Sequence, residues 1–87
     1  MQINLTSQIW KEGKMYVSYN PELNISSCGK TLEKAKKNLK EAIEAFLEET
    51  EKMGTLKQIL KESGFLLEKK QWQAPQFLGW ERMPITL

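Results

Sequence analysis

Residues 15–47, MYVSYNPELNISSCGKTLEKAKKNLKEAIEAFL, decide the fold because the apolar period changes within them. Met15-Tyr16-Val17-Ser18-Tyr19 alternates with period two, as a β-strand does, with Met15, Val17 and Tyr19 sharing one face. From Leu32 the period lengthens. Leu32, Ala35, Leu39, Ala42, Ile43, Phe46 and Leu47 recur at spacings of three and four, which is the stripe of an amphipathic helix. Gly29-Lys30-Thr31 punctuates the change, and the Thr31 hydroxyl suits the N-cap, where it can accept from an orphan N–H of the first turn. Met53-Gly54 is the expected stop. At 1.5 Å per residue a helix over 32–53 is roughly 33 Å long, enough to cross the back of a three- or four-stranded sheet.

Reading outward from this stretch completes the order of elements. Upstream, residues 3–10 alternate, with Ile3, Leu5, Ser7 and Ile9 on one face and Trp10 on the other. Glu12-Gly13 is the expected tight connection to the second strand. Asn20-Pro21-Glu22 breaks that strand, since proline has no N–H for a ladder. Residues 23–28 then read as a third strand with Leu23 and Ile25 inward. Downstream, Thr55-Leu56-Lys57-Gln58 matches a capping box and opens a short helix whose buried side is Leu56, Ile59 and Leu60. Gly64 is its expected end. Residues 65–72 read as a strand. Pro75, Gly79 and Pro84 interrupt the rest of the chain, up to an extended Ile85-Thr86-Leu87.

The expected class is therefore α+β: a three-stranded antiparallel meander plus a C-terminal strand, packed on one long helix in the order β-β-β-α-α-β. With 87 residues there is room for a single domain, 1–87. Its core is expected over 1–64, with a C-terminal strand and extended tail over 65–87.

Composition narrows the function classes. The chain has no His and no Asp. It therefore lacks the usual near-neutral proton carrier and commonest metal ligand, and any carboxylate site must be built from Glu alone. We expect no catalytic residues, no metal and no cofactor, and hence a protein that is not an enzyme. Cys28 is the only cysteine, which excludes an internal disulfide and a thiolate metal cluster; a small, half-buried residue near a strand end is its plain role. Of 13 basic residues only Arg82 is an arginine, and the net charge is +2. That gives no electrostatic case for sequence-specific DNA binding. No apolar run is long enough to span a bilayer, and Met1-Gln2-Ile3-Asn4-Leu5 lacks the pattern of a secretory signal. A cytoplasmic protein is expected. The Glu and Lys residues of the helix stretch, including Glu33–Lys37, Lys37–Glu41, Lys40–Glu44 and Glu48–Lys52, read as a solvated, ion-paired face.

Gly13-Lys14-Met15-Tyr16-Val17-Ser18-Tyr19-Asn20-Pro21-Glu22-Leu23 resembles the second strand and Pro-Glu-Leu turn of HicB-type antitoxins. Gly29-Lys30-Thr31-Leu32-Glu33-Lys34-Ala35 is similar to that family's Gly-x-Thr-x-x-x-Ala junction, and Asn38-Leu39-Lys40-Glu41-Ala42-Ile43 resembles its helix core. The resemblance implies a partial RNase H-like fold without catalytic carboxylates. It also implies a function, which is binding a HicA-like mRNA-cleaving toxin and neutralising it sterically. Many HicB proteins carry a C-terminal DNA-binding unit. Here 23 residues follow Gly64 without a helical period, so a stand-alone form is expected.

Candidate partner-binding residues are Trp10, Tyr16, Tyr19, Glu22 and Asn24. Glu22 and its polar neighbours suit the basic RNA-binding surface that the resemblance gives the toxin. Trp10, Tyr16, Ser18 and Cys28 are expected to share the outward sheet face. Exposed aromatics there call for a cover, by a homodimer, by a partner, or by the C-terminal segment folding back. Asn38, at the edge of the apolar stripe, is expected to bond a neighbouring strand or loop. Two other readings are an orphan homo-oligomer without a toxin and a weak nucleic-acid binder.

Overall fold

Residues 3–87 are described here from a computed structural model. The remaining two, Met1 and Gln2, which open the expected domain 1–87, lie outside the described residues.

Three strands form an antiparallel meander: β1 (Gln8–Glu12), β2 (Met15–Asn20) and β3 (Ile25–Gly29), in the spatial order β1-β2-β3. The β1–β2 loop is Gly13-Lys14, one residue later than expected, since Glu12 pairs with Met15. Gly13 takes φ 62°, the positive φ that a two-residue hairpin loop asks of its first residue in the II′ geometry.

The long helix α1 (Leu32–Met53) comes next, with Thr31 as its N-cap accepting from the Lys34 N–H. Gly54, at φ 75°, closes it in the left-handed conformation, and its N–H donates back to the last turn. Helix α2 (Leu56–Glu62) is short. The expected capping box does not form there. The Thr55 hydroxyl donates to the Thr50 carbonyl instead, and Gln58 bonds Glu62 one turn on.

The chain ends differently from the expectation. Residues 65–72 are not one strand but most of a separate hairpin, β4 (Leu66–Glu68) with β5 (Gln71–Gln73), which does not join the meander. Its turn, Lys69-Lys70, places both residues in the left-handed region at φ 50° and 64°. Residues 74–87, including Ile85–Leu87, carry no strand. Residues 3–7 are likewise not part of β1.

Helix α1 lies chiefly over β3 and β2 and barely reaches β1. The approach is close because the facing residues are small. Ser18 is fully buried and its hydroxyl donates to the Ala35 carbonyl at 2.8 Å. A Cβ placed on Gly29 would lie 2.6 Å from the Ala35 backbone nitrogen. The register fixes what shares this inner face. Ile9 stands opposite Ser18, Lys11 opposite Tyr16, Ser27 opposite Ser18, and Gly29 opposite Tyr16. The outer face consequently carries Trp10, Met15, Val17, Tyr19 and Cys28.

This corrects the expected assignment of faces. Tyr16 and Ser18 point toward the helix, not outward with Trp10. Cys28 is outward, and exposed rather than half-buried.

A second apolar cluster of Leu56, Leu60 and Phe65 sits beside the sheet, with Ile3, Leu5, Leu23, Leu47 and Trp72 packed against it. Phe65 is buried at its centre, so the core runs past residue 64. Of the four expected ion pairs on α1, only Glu48–Lys52 closes among the described residues, at 3.5 Å and fully in water. It contributes no more than about 0.5 kcal/mol.

Gly29→Ala would drive a methyl into the backbone of α1, where no side-chain rotation can relieve it. We expect a loss of at least ~2 kcal/mol in urea denaturation, whereas Gly13→Ala, opposed by the positive φ alone and by no clash, should cost about 1–2 kcal/mol.

Candidate functional site

The five candidate residues do not form one patch. The structure brings three together and removes two. Tyr19 lies on the outer face and its hydroxyl donates to the Asn24 side-chain oxygen at 2.9 Å. Asn24 holds φ 56°, a left-handed conformation that asparagine tolerates better than most residues. Trp10 lies on the same face, paired across strands with Val17, which in turn faces Cys28 on β3. Tyr16 is on the opposite face, half-buried, with the Lys11 ammonium 5.7 Å from its ring centre.

Glu22 is occupied inside the protein. Its carboxylate accepts from the Thr6 N–H, from the Thr6 hydroxyl and from the Asn20 side-chain amide. Asn20, fully buried, also donates to the Thr6 carbonyl, and its oxygen accepts from the Leu23 N–H. These bonds tie residues 3–7 to the β2–β3 turn and hold Ile3 and Leu5 over the second cluster. Glu22 is thus a structural residue first. Glu22→Lys would dismantle this knot before it tested any partner.

Asn38 behaves as expected, donating to the Cys28 carbonyl at 2.8 Å and so stapling α1 to β3.

The C-terminal segment supplies residues that sequence reading did not place. Trp80 packs on Trp10 with ring centroids 6.3 Å apart at 57°, and the Arg82 guanidinium lies 5.6 Å from the Trp10 ring centre. Phe77 and Trp80 stand across a cleft of about 420 Å³ from residues 6–11. No periodicity links positions so far apart in the chain, so nothing in the sequence could have announced the Trp10–Trp80 pair. Val17 was missed because period two groups it with Met15 and Tyr19 without saying which side the helix takes.

The outer face is one layer of sheet with Val17 and Tyr19 half-buried, met by the C-terminal segment at Trp10. Among the described residues no three carboxylate or thiol groups converge on a point where a metal could sit. No helix of the described residues is long and apolar enough to cross a membrane. Comparison with protein-family models, with curated proteins and with solved structures finds no match to this chain.

Asn20→Ala would orphan the Thr6 carbonyl and the Leu23 N–H and leave a buried void. A loss of about 2–4 kcal/mol is expected, against less than ~1 kcal/mol for Tyr19→Phe in the exposed pair, both read from chemical denaturation.

Proposed function

We propose that this chain is a stand-alone, non-catalytic antitoxin of the HicB type, acting in the cytoplasm. In this reading it neutralises a HicA-like mRNA-cleaving ribonuclease by covering the toxin's active site. The contact is made by the outer face of the meander around Val17, Tyr19 and Cys28, bordered by Trp10.

The observation that carries this reading is the set of apolar and aromatic side chains on the sheet face turned away from α1. The helix side carries Ser18, Ser27 and Gly29 at the closest approach, with Ile9, Tyr16 and Ile25 around them, while Met15, Val17, Tyr19 and Trp10 lie on the opposite face. A half-apolar sheet face of this kind is a surface for a partner. The family resemblance supplies the partner's identity, and its motif residues have defined places. Gly13 makes the hairpin loop, Pro21-Glu22-Leu23 the knotted turn, Gly29 and Thr31 the helix junction, and Asn38 the staple to β3. The partial RNase H-like description belongs to the same proposal, because it rests on the resemblance. Fold and motif by themselves do not specify function, so the inhibition assay decides.

Purified chain added to a cognate HicA-like ribonuclease should abolish RNA cleavage near equimolar ratio. Val17→Lys, which would set a cation against the toxin's basic surface, should raise the half-inhibitory concentration about 10- to 100-fold. Tyr19→Ala should act in the same direction, while Lys37→Ala on the far side of α1 should leave it unchanged. Undiminished inhibition by both sheet variants would move the contact elsewhere. No inhibition by the unaltered chain would remove the antitoxin reading.

A further inference from the structure

The chain exposes more surface than a compact monomer of its length. Its accessible area is 7247 Å², against about 5,300 Å² expected from size alone. Its radius of gyration is 14.9 Å, against about 12 Å. The excess area, on the order of 1,900 Å², is more than the ~800 Å² that each partner contributes to a standard interface.

Much of it lies in one place. Pro75, itself exposed, lies beside the end of α2, its Cγ 3.2 Å from where a Cβ on Gly64 would stand. Beyond it the chain carries Phe77, Leu78, Trp80, Met83, Ile85 and Leu87, all exposed, with Leu78 at 87% and Ile85 at 73%. Even Trp80, stacked on Trp10, remains 70% exposed. The segment runs beside edge strand β1 without pairing to it. Residues 83–87 nonetheless alternate, with Met83, Ile85 and Leu87 on one side, the pattern of a strand with one face to bury.

We propose that residues 76–87 are an exchangeable arm, and that two copies of this chain form a dimer in which each arm lies against the β1 edge and Trp10 of the other copy. The own-chain contact hides too little of the arm to hold it. A single sheet layer also offers no second surface to cover the arm's other side. A second copy brings an arm and a face of the same shape, so the pairing is self-complementary and closes with two-fold symmetry. Twelve extended residues reach up to about 40 Å, comparable with the longest dimension of the molecule, 42 Å. The Trp10–Trp80 stack and the Arg82–Trp10 contact are then re-made between chains. Pro84, which cannot donate to a ladder, is admissible because the arm would be the outermost strand. This inference stands apart from the ribonuclease reading, since the arm occupies the β1 side and leaves Val17, Tyr19 and Cys28 to another protein.

The test uses the full chain. Sedimentation equilibrium over a concentration series should show a monomer–dimer equilibrium. A mixture of isotope-labelled and unlabelled chains should give isotope-filtered NOEs from the Trp80 ring of one copy to the Trp10 ring of the other. Met83→Glu combined with Ile85→Glu, both in the arm and away from the core, should weaken dimerisation about 100-fold without lowering the unfolding midpoint of the monomer. In the inhibition assay the same double variant should neutralise the ribonuclease as well as the unaltered chain, so failure here and failure of the antitoxin reading are separable. A monomer at every concentration overturns the proposal. So does a dimer indifferent to the double variant, or an arm that becomes ordered only when the ribonuclease is added.

Discussion

The contact between Ala35 on α1 and the pair Ser18 and Gly29 on the sheet is the constraint on which the rest depends. Directly under Ala35 the helix comes so close to the sheet backbone that it leaves room for little more than serine and glycine. Val17, next to Ser18 in the chain, faces the other side with Met15 and Tyr19, while Tyr16 stays on the helix side opposite Gly29. The same approach lets the Ser18 hydroxyl reach a helix carbonyl and the Asn38 amide reach the Cys28 carbonyl, so polar bonds rather than bulk fix the helix on β3.

A hydrophobic core of ordinary size is then missing from the helix–sheet interface, where Ala35, Leu39 and Ile43 are the buried apolar residues of α1. The chain builds it next door, around Leu56, Leu60 and Phe65. Leu23, at the end of the β2–β3 turn, and Ile3 and Leu5 of the N-terminal segment complete that cluster. Residues 3–7 have no ladder to hold them there. The Thr6–Glu22–Asn20 bonds do so instead, and they give the half-buried Glu22 carboxylate three donors where the described residues offer it no ion pair. Sheet, helix and knot are one mechanical unit.

Much of this was legible from the chain. The change of period at Gly29-Lys30-Thr31 located the start of the helix, and the Thr31 cap and Gly54 stop obey local rules. The meander order and the β2–β3 break at Pro21 were equally plain. The choice of face was not. Period two says which residues travel together but not which set faces inward, and hydrophobicity points the wrong way when the facing helix presents alanine. The Lys69-Lys70 turn was hidden for a related reason: two lysines carry none of the Asn-Gly chemistry that announces a type I′ loop. Of the candidate site, alternation put Trp10 on its observed face. Tyr19, by contrast, travels with Val17 on the face opposite the one expected outward, and Asn24, read within a strand over 23–28, lies before β3 in a left-handed conformation. Glu22 could not be placed, because a carboxylate that serves a turn and one that serves a partner look alike in sequence.

The Lys69-Lys70 turn has a kinetic consequence. Two side-chain-bearing residues held in the left-handed region each cost of order 1 kcal/mol, and the hairpin they close has three residues per strand, mostly exposed. Its hold on the molecule is Trp72, which packs on the core cluster. The hairpin is thus placed to open as a local unit, at a lower free energy than the meander and α1, and everything beyond it would be released with it. The segment beyond the joint thus has two routes to release, the loss of its own few contacts and the opening of the hairpin that carries it.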